Sequence, residues 1–130
     1  MTRMLCDIIH GVPLREAILV NGSDWFSKRK ALEWSKDSDE VVIGRRVSPA
    51  CYIDDAFPAS LYLAWKYADD FENAAISNTN VGGDNCHRGA VIGALVGGTV
   101  GLSAIPIRYA DQIDDAARLR SQIDSIVTHS

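Results

Sequence analysis

The sequence predicts an all-α fold. Apolar residues recur at helical spacing, no alternation of apolar and polar residues lasts for more than a few positions, and turn or capping residues divide the chain into segments of helical length. A chain of 130 residues with 47% hydrophobic content can bury one core. We therefore expect a single domain, with short helices and a loop over residues 1–47 and a helical core over residues 48–130.

The first half of the chain predicts short elements. The expected helices span residues 4–9, 14–20 and 25–35. Ser23 or Asp24 is expected to cap the third of them, because both side chains can accept a hydrogen bond from a free backbone amide. Residues 36–52 contain glycine, proline and a cluster of charges, so they predict a loop in which residues 41–43 form a buried extended piece.

The second half predicts longer helices, over residues 56–67, 70–77, 85–103 and 109–127. Asp54 or Asp55 is expected to cap the first, with Pro58 in its first turn, where a missing N–H costs nothing. Asp69 and Glu72 have the spacing of a capping box at the start of the second. The last helix is amphipathic, and its apolar residues are expected to face the core: Ile113, Ala116, Ala117, Leu119, Ile123, Ile126 and Val127.

Charge and cysteine content exclude several classes of function. The net charge of -4 and the absence of a basic run argue against a protein that binds nucleic acid or an anionic membrane, since phosphates repel an acidic surface. Three widely spaced cysteines without a CxxC pair predict neither a disulfide framework nor a zinc site. The N-terminal residues do not have the pattern of a signal peptide. We expect a cytoplasmic protein.

A ladder of glycines marks the helix over residues 85–103. Gly89, Gly93, Gly97 and Gly101 recur every four residues inside a stretch without charge, which places them on one helix face. Such a ladder is also typical of transmembrane helix dimers, so a small membrane-inserted protein is one alternative. The stretch is rich in small residues and has no aromatic belt on its N-terminal side, which favours a buried central helix instead.

The loop before that helix carries the groups suited to chemistry. Gly82 and Gly83 permit a tight turn, and Asp84, Cys86 and His87 follow at the helix N-terminus. Asp84 is either an N-cap or a metal ligand, and the residues alone favour the cap. They also favour Cys86 as a small buried residue and His87 as a hydrogen-bonded polar one. A Cys86 thiolate nucleophile beside His87 is a less favoured alternative.

The loop and its surroundings resemble the C-terminal part of an ADP-ribosylglycohydrolase. That family carries the motif Gly-Gly-Asp-x-Asp-Thr/Ser before a helix rich in small residues. The matching landmarks occur in the same order at residues 55–58 (Asp-Ala-Phe-Pro), 70–72 (Asp-Phe-Glu), 80–84 (Asn-Val-Gly-Gly-Asp), 89–95, and 101 with 105–106. Five landmarks over about half of the chain are more specific than any one of them. The resemblance implies an orthogonal helical bundle, of which this chain forms the C-terminal portion as a partial domain.

The resemblance also implies a site and a reaction. Family members hydrolyse the glycosidic bond of ADP-ribosylated substrates with two metal ions, usually magnesium, which position the ribose hydroxyls of ADP-ribose and a water. By position, Asp84 matches the first motif aspartate, Cys86 stands where the second belongs, and His87 stands where Thr or Ser belongs. Magnesium prefers hard oxygen ligands, so Cys86 and His87 are poor replacements; as metal ligands beside Asp84 these softer groups would suit zinc or another transition metal instead. The same loop implies substrate contacts from Gly82, Gly83 and Asn85.

The family also uses a Ser/Thr-Asp-Asp cluster in its N-terminal half, and this sequence contains no such triplet. We therefore expect at most half of the site, with hydrolysis only when the missing half is supplied. Helix faces left uncovered would drive association into homo-oligomers. The alternative function is that of a non-catalytic relative acting as a structural or interaction subunit.

Overall fold

A computed structural model describes residues 1–127 and confirms the all-α prediction. The helices are α1 (Thr2–Ile9), α2 (Leu14–Asn21), α3 (Lys28–Trp34), α4 (Asp39–Val41), α5 (Ile53–Lys66), α6 (Phe71–Asn80), α7 (Asn85–Val100), α8 (Arg108–Asp111) and α9 (Ala116–Val127). A kinked turn follows α4 at Val42–Arg46, with non-helical backbone at Ile43 and Gly44, and a 3-10 turn follows α7 at Leu102–Ala104. Between residues 1 and 127 the backbone forms no strand, and one isolated bridge joins Ile43 and Val47.

Helix α7 is the centre of the fold, because α1, α2, α5 and α6 all pack against it. Its residues Ile92, Leu95 and Val96 are buried among apolar side chains of those helices. Helix α5 is the other main core element, with every residue from position 58 to position 64 buried. Burial of each large aliphatic side chain contributes roughly 1.5–3 kcal/mol. The rest of the core comes from α1, α2, α3 and the segments that join the helices, with Met4, Ile18 and Phe26 among its buried residues.

Two of the ladder glycines lie where α7 packs closely on its neighbours, as predicted for a buried central helix. A side chain at Gly97 would meet Ile105 at 3.4 Å and Phe71 at 3.5 Å, and one at Gly89 would meet Asn78 at 3.2 Å. The helix ends at Val100, three residues earlier than predicted, and is followed by its C-cap Gly101, whose φ of 76° favours glycine. In the described part of the chain, no helix combines the length and the apolar character of a membrane span.

Several predicted boundaries in the first half are wrong. Helix α3 begins at Lys28 and is capped by Ser27, which accepts a hydrogen bond from a backbone amide. The predicted caps Ser23 and Asp24 lie in a turn that sends Phe26 into the core, where its ring is fully buried. Residues 41–43 were expected to be buried and extended. Val42 and Ile43 are buried, but Val42 still has helical backbone, and the chain kinks at Ile43 and Gly44, where the φ of 152° favours glycine.

The predicted caps of α5 and α6 are also wrong in detail. Helix α5 begins at Ile53, so Asp54 and Asp55 lie in its first turn, and Tyr52 precedes it without a side-chain cap. Carboxylates there still interact favourably with the positive end of the helix dipole. At α6 the N-cap is Asp70, which accepts the backbone N–H of Asn73 at 3.0 Å. The predicted box of Asp69 and Glu72 does not form, because Glu72 makes an ion pair with Arg108 instead.

The predicted last helix is broken into α8 and α9. A bend at residues 112–115, with a φ of 60° at Asp115, separates them. The expected burial of the α9 apolar face is wrong for residues 1–127, since no residue of α9 is buried and Ile123 is 58% exposed. Together with the segment that follows α7, this face forms an apolar groove of about 560 Å³, lined by Leu102, Ile105, Ile107, Ala110, Ile113, Ala116, Leu119, Arg120, Ile123 and Asp124.

A buried carboxylate that was not predicted from the sequence ties α4 to the core. Asp39, 8% exposed, accepts hydrogen bonds from the Tyr62 hydroxyl at 2.8 Å and from Lys66 Nζ at 2.6 Å. It also accepts from the Tyr67 hydroxyl at 2.6 Å and from the Ser77 hydroxyl. Burial alone would raise the pKa of the Asp39 carboxyl, but these hydrogen bonds outweigh it and hold that pKa below its ordinary value.

Candidate functional site

The Gly-Gly-Asp loop joins α6 to α7 and packs against the segment before α5. Gly82 and Gly83 both have a φ of 67°, a conformation that favours glycine. A side chain at Gly83 would lie 2.2 Å from the Pro49 carbonyl oxygen, which leaves no room for a Cβ atom. The same oxygen accepts the Asp84 amide N–H at 2.9 Å. Gly83 is therefore required for the close approach that fixes the position of Asp84, whereas Gly82 is favoured only by its positive φ, since a side chain there would meet open space.

Asp84 and His87 form a carboxylate–imidazole pair at the start of α7. Asp84 occupies the N-cap position, as the residues predicted, but makes no side-chain hydrogen bond to a helix amide. Its two carboxylate oxygens instead lie 2.7 and 2.8 Å from His87 Nδ1. The Asp84 side chain is 19% exposed and that of His87 is 84% exposed, so the carboxylate is sheltered while the imidazole reaches into solvent.

The pair borders a cleft of about 270 Å³ between α5 and α7. Most of the wall is apolar; Ser60 is the polar residue on the α5 side, and the charged or titratable side chains of Asp84, His87 and Arg88 lie on the α7 side. The lining residues are Cys51, Ile53, Ala56, Phe57, Ser60, Asp84, His87, Arg88 and Val91. Sites for drug-sized ligands span roughly 300–1,000 Å³, so this cleft has room for one ring of a nucleotide-sized ligand rather than for a whole dinucleotide.

Arg88 is a buried residue of the candidate site that was not predicted from the sequence. It is 1% exposed, and its guanidinium holds three segments together. Nε donates to Asn78 Oδ1 at 3.1 Å, one terminal nitrogen donates to the Pro49 carbonyl at 3.2 Å, and the other donates to the Gly82 carbonyl. Burial lowers the pKa of Arg88, while the nearby charge of Asp84 acts in the opposite direction. In the sequence it appeared only as the charged boundary of the glycine-rich helix.

Asn78 completes this clamp on the loop. Its side chain is 5% exposed and donates a hydrogen bond to the Asn85 carbonyl oxygen at 2.8 Å, while its own oxygen accepts from Arg88. The first turn of α7 is thus fixed to the end of α6 by buried polar groups whose hydrogen bonds are made. Removing one partner of such a network leaves the other unsatisfied, at a cost of about 1–3 kcal/mol.

The other predicted site residues occupy different surroundings. Cys86 is exposed, so its interpretation as a buried residue is wrong, and its thiol lies 3.7 Å from the Asn85 side-chain oxygen. His87 is hydrogen-bonded, as expected. Substrate contacts from Gly82, Gly83 and Asn85 stay predictions.

The donor set in this part of the chain does not fit magnesium. Among residues 1–127, no three His, Cys, Asp or Glu side chains come together as a metal site requires. Asp84 is the one carboxylate among the residues that line the cleft, and His87 already contacts both of its oxygens. Magnesium takes a nearly octahedral shell of oxygen ligands. A magnesium site that includes Asp84, with or without Cys86 and His87, stays a prediction of the resemblance.

Comparison with known proteins gives one match. The family model described as ADP-ribosylglycohydrolase matches residues 3–130, which is nearly the whole chain. Neither the curated proteins nor the solved structures give a match to this sequence. The family match agrees with the all-helical architecture, in which a Gly-Gly-Asp loop precedes a central helix rich in small residues. The chain belongs to the ADP-ribosylglycohydrolase family.

Proposed function

We propose that the chain binds the ADP-ribosyl group of ADP-ribosylated substrates in the cleft between α5 and α7. The observation that carries this proposal is the position of Asp84 and His87 on the motif loop, at the border of a cleft with apolar walls. Carboxylate oxygens accept hydrogen bonds from sugar hydroxyls, and apolar walls pack against the faces of sugar or base rings. The volume of the cleft suits one ring, and we assign it to the ribose next to the scissile bond.

Hydrolysis by this half-site needs groups that residues 1–127 do not bring to the cleft. Glycoside hydrolysis usually employs two carboxyl groups, placed on opposite sides of the scissile bond. The residues that line the cleft include one carboxylate, Asp84, and the oxygens of that carboxylate are directed at His87. We therefore expect binding by the chain alone, and turnover only when a further acidic segment completes the site.

Calorimetric titration with ADP-ribose tests the proposal directly. The wild-type chain is expected to bind, and Asp84→Asn is expected to weaken binding at least tenfold, because a hydrogen bond to a charged group is worth about 1.5–3 kcal/mol. Asp114→Asn is the matched control, since Asp114 is an exposed residue outside the cleft. Equal affinities of the wild type and both variants, or no binding by the wild type, would refute the assignment.

The exposed apolar groove beside α9 favours a second candidate function, that of a structural or interaction subunit. Leu102, Ile107 and Ile123 are each more than half exposed there. Large exposed apolar patches mark interaction surfaces in soluble proteins. A chain that associates through this groove and gives no heat with ADP-ribose would support the second function over the first.

A further inference from the structure

The buried side chain of Arg88 places a positive charge in the wall of the candidate cleft. It is 1% exposed and lines the same cleft as Asp84. Its hydrogen bonds go to neutral groups, the Asn78 amide oxygen and two backbone carbonyls. In the described part of the chain, no carboxylate lies within 4.0 Å of the guanidinium to form an ion pair. A buried cation without a bonded anion is costly, so a charge close by has to compensate it.

Asp84 is the group in position to do so. It is the one acidic side chain among the cleft residues, and its charge acts on Arg88. The Asp84 amide and the Arg88 guanidinium also share one acceptor, the Pro49 carbonyl oxygen, which fixes the two residues relative to each other. The Asp84 carboxylate thus has two neighbours from its own chain: the buried guanidinium of Arg88, which is cationic, and the exposed imidazole of His87, which is hydrogen-bonded to it.

Three consecutive residues therefore work against a divalent metal at this loop. Cys86 puts an exposed thiol where the family motif has its second aspartate, and a thiol is a poor ligand for a hard cation. His87 Nδ1 lies within 2.8 Å of both oxygens of Asp84, so a metal ion chelated by both oxygens would have to displace the imidazole, whereas single sugar hydroxyls would not. Arg88 adds a fixed positive charge that repels a second cation from the same carboxylate.

We propose that the guanidinium of Arg88 provides, from within the chain, the positive charge beside Asp84, and that this loop binds the ADP-ribosyl group without a divalent metal. The inference takes its ligand from the proposed function, but the statement about the metal stands on the loop residues alone. The inference therefore predicts that this chain needs no divalent metal at the loop, unlike the metal-dependent site that its family implies. It also gives Arg88 a positioning role, since it holds the Gly82 and Pro49 carbonyls that shape the Asp84 loop.

The test combines manganese binding with nucleotide binding on the full chain. Loss of the electron paramagnetic resonance signal of free Mn²⁺ reports metal binding and needs no activity. The wild type is expected to leave the signal unchanged, and its ADP-ribose affinity is expected to vary less than about twofold between magnesium and a chelator. Removal of all three obstacles, in Cys86→Asp/His87→Thr/Arg88→Met, restores a second carboxylate to the loop and is expected to give weak Mn²⁺ binding, as half of a metal site would. No Mn²⁺ binding by a folded triple variant would overturn the inference that these three residues exclude the metal. Cys86→Asp/His87→Thr, which keeps Arg88, is expected to bind at least tenfold more weakly than the triple variant.

The outcomes separate this inference from the proposed function. Mn²⁺ binding by the wild type, or a tenfold gain in ADP-ribose affinity with magnesium, overturns the inference and leaves the binding proposal intact. Absence of ADP-ribose binding under every condition overturns the binding proposal, while the manganese titration still decides the inference. If the triple variant does not fold, Arg88→Lys in the Cys86→Asp/His87→Thr background keeps the charge and should bind Mn²⁺ no more tightly than Cys86→Asp/His87→Thr itself. Tighter manganese binding by the Arg88→Lys variant would contradict the charge argument.

Discussion

Replacement of Asp39 by asparagine is expected to destabilise the fold strongly, because four donors converge on that carboxylate. Asparagine keeps the size of the side chain but removes the charge and replaces one acceptor oxygen by a donor NH₂ group. The ammonium of Lys66, 2.6 Å away and 28% exposed, then loses its anionic partner in a mostly buried position. The hydroxyls of Tyr62 and Tyr67 compete for the one oxygen that is left.

The size of the effect follows from burial. Removal of one partner from a buried ion pair costs about 3–5 kcal/mol. Partial exposure lets Lys66 turn toward water, so we expect a value near the lower end, about 3 kcal/mol. That is a large part of the roughly 5–15 kcal/mol by which domains are stable. The melting temperature should fall by about 10 °C.

Urea unfolding followed by tryptophan fluorescence measures this free energy, and Trp34 and Trp65 lie in or against the same core. Asp37→Asn is the matched control. Asp37 pairs with Arg46 at 2.6 Å, but the two side chains are 29% and 39% exposed, so that variant should lose less than about 1 kcal/mol. A loss below about 1 kcal/mol for Asp39→Asn, or equal losses for the two variants, would refute this account of the buried network.

Three further predictions concern pH, the glycines and association. The pKa of Asp39 is lowered in the folded state, so this group contributes stability that is present above about pH 4 and lost as the pH falls through its folded-state pKa. The pKa of Lys66 is raised, so its contribution is present below about pH 10 and lost as the pH rises through its folded-state pKa. Asp39→Asn should therefore flatten both the acid and the alkaline limb of the pH–stability curve, and unchanged limbs would contradict this. Gly93→Ala places a Cβ in open space on a helix and should raise the free energy of unfolding by roughly 0.5–1 kcal/mol. Gly83→Ala places a Cβ against a carbonyl oxygen on a strained backbone and should lower the free energy of unfolding by more than about 2 kcal/mol. Denaturant unfolding measures both changes, and changes of the same sign would contradict this reasoning. The apolar groove predicts self-association at micromolar concentrations that Ile123→Asp weakens, and a wild-type monomer in sedimentation velocity would show this prediction to be wrong.

The central helix and the motif loop could be predicted because the relevant signals are local. The glycine ladder and the absence of charge identified α7 as a helix that others pack against, and Gly97 lies in such a contact. Gly82 and Gly83 indicated the tight turn, and both have positive φ. A turn and a helix face are set by neighbouring residues, which a single sequence displays directly.

The polar networks could not be predicted because their partners are distant in the sequence. Asp39 is bound by residues 23 to 38 positions away, and nothing local distinguishes it from an exposed aspartate. Arg88 is bound by a carbonyl 39 positions earlier, and a lone arginine is usually exposed. The pattern of α9 showed which of its residues share a face. Whether that face is buried depends on what packs against it, and within residues 1–127 no residue of α9 is buried.

The most direct test of the proposed function is to map ADP-ribose on the chain by amide chemical shifts during a titration. The binding assignment predicts that the largest shifts cluster at the cleft, in residues 53–57 of α5 and 82–91 of the motif loop and α7, and that Asp84→Asn reduces them. Saturable shifts confined to α9 and the groove beside it, or no shifts at millimolar ADP-ribose, would contradict it.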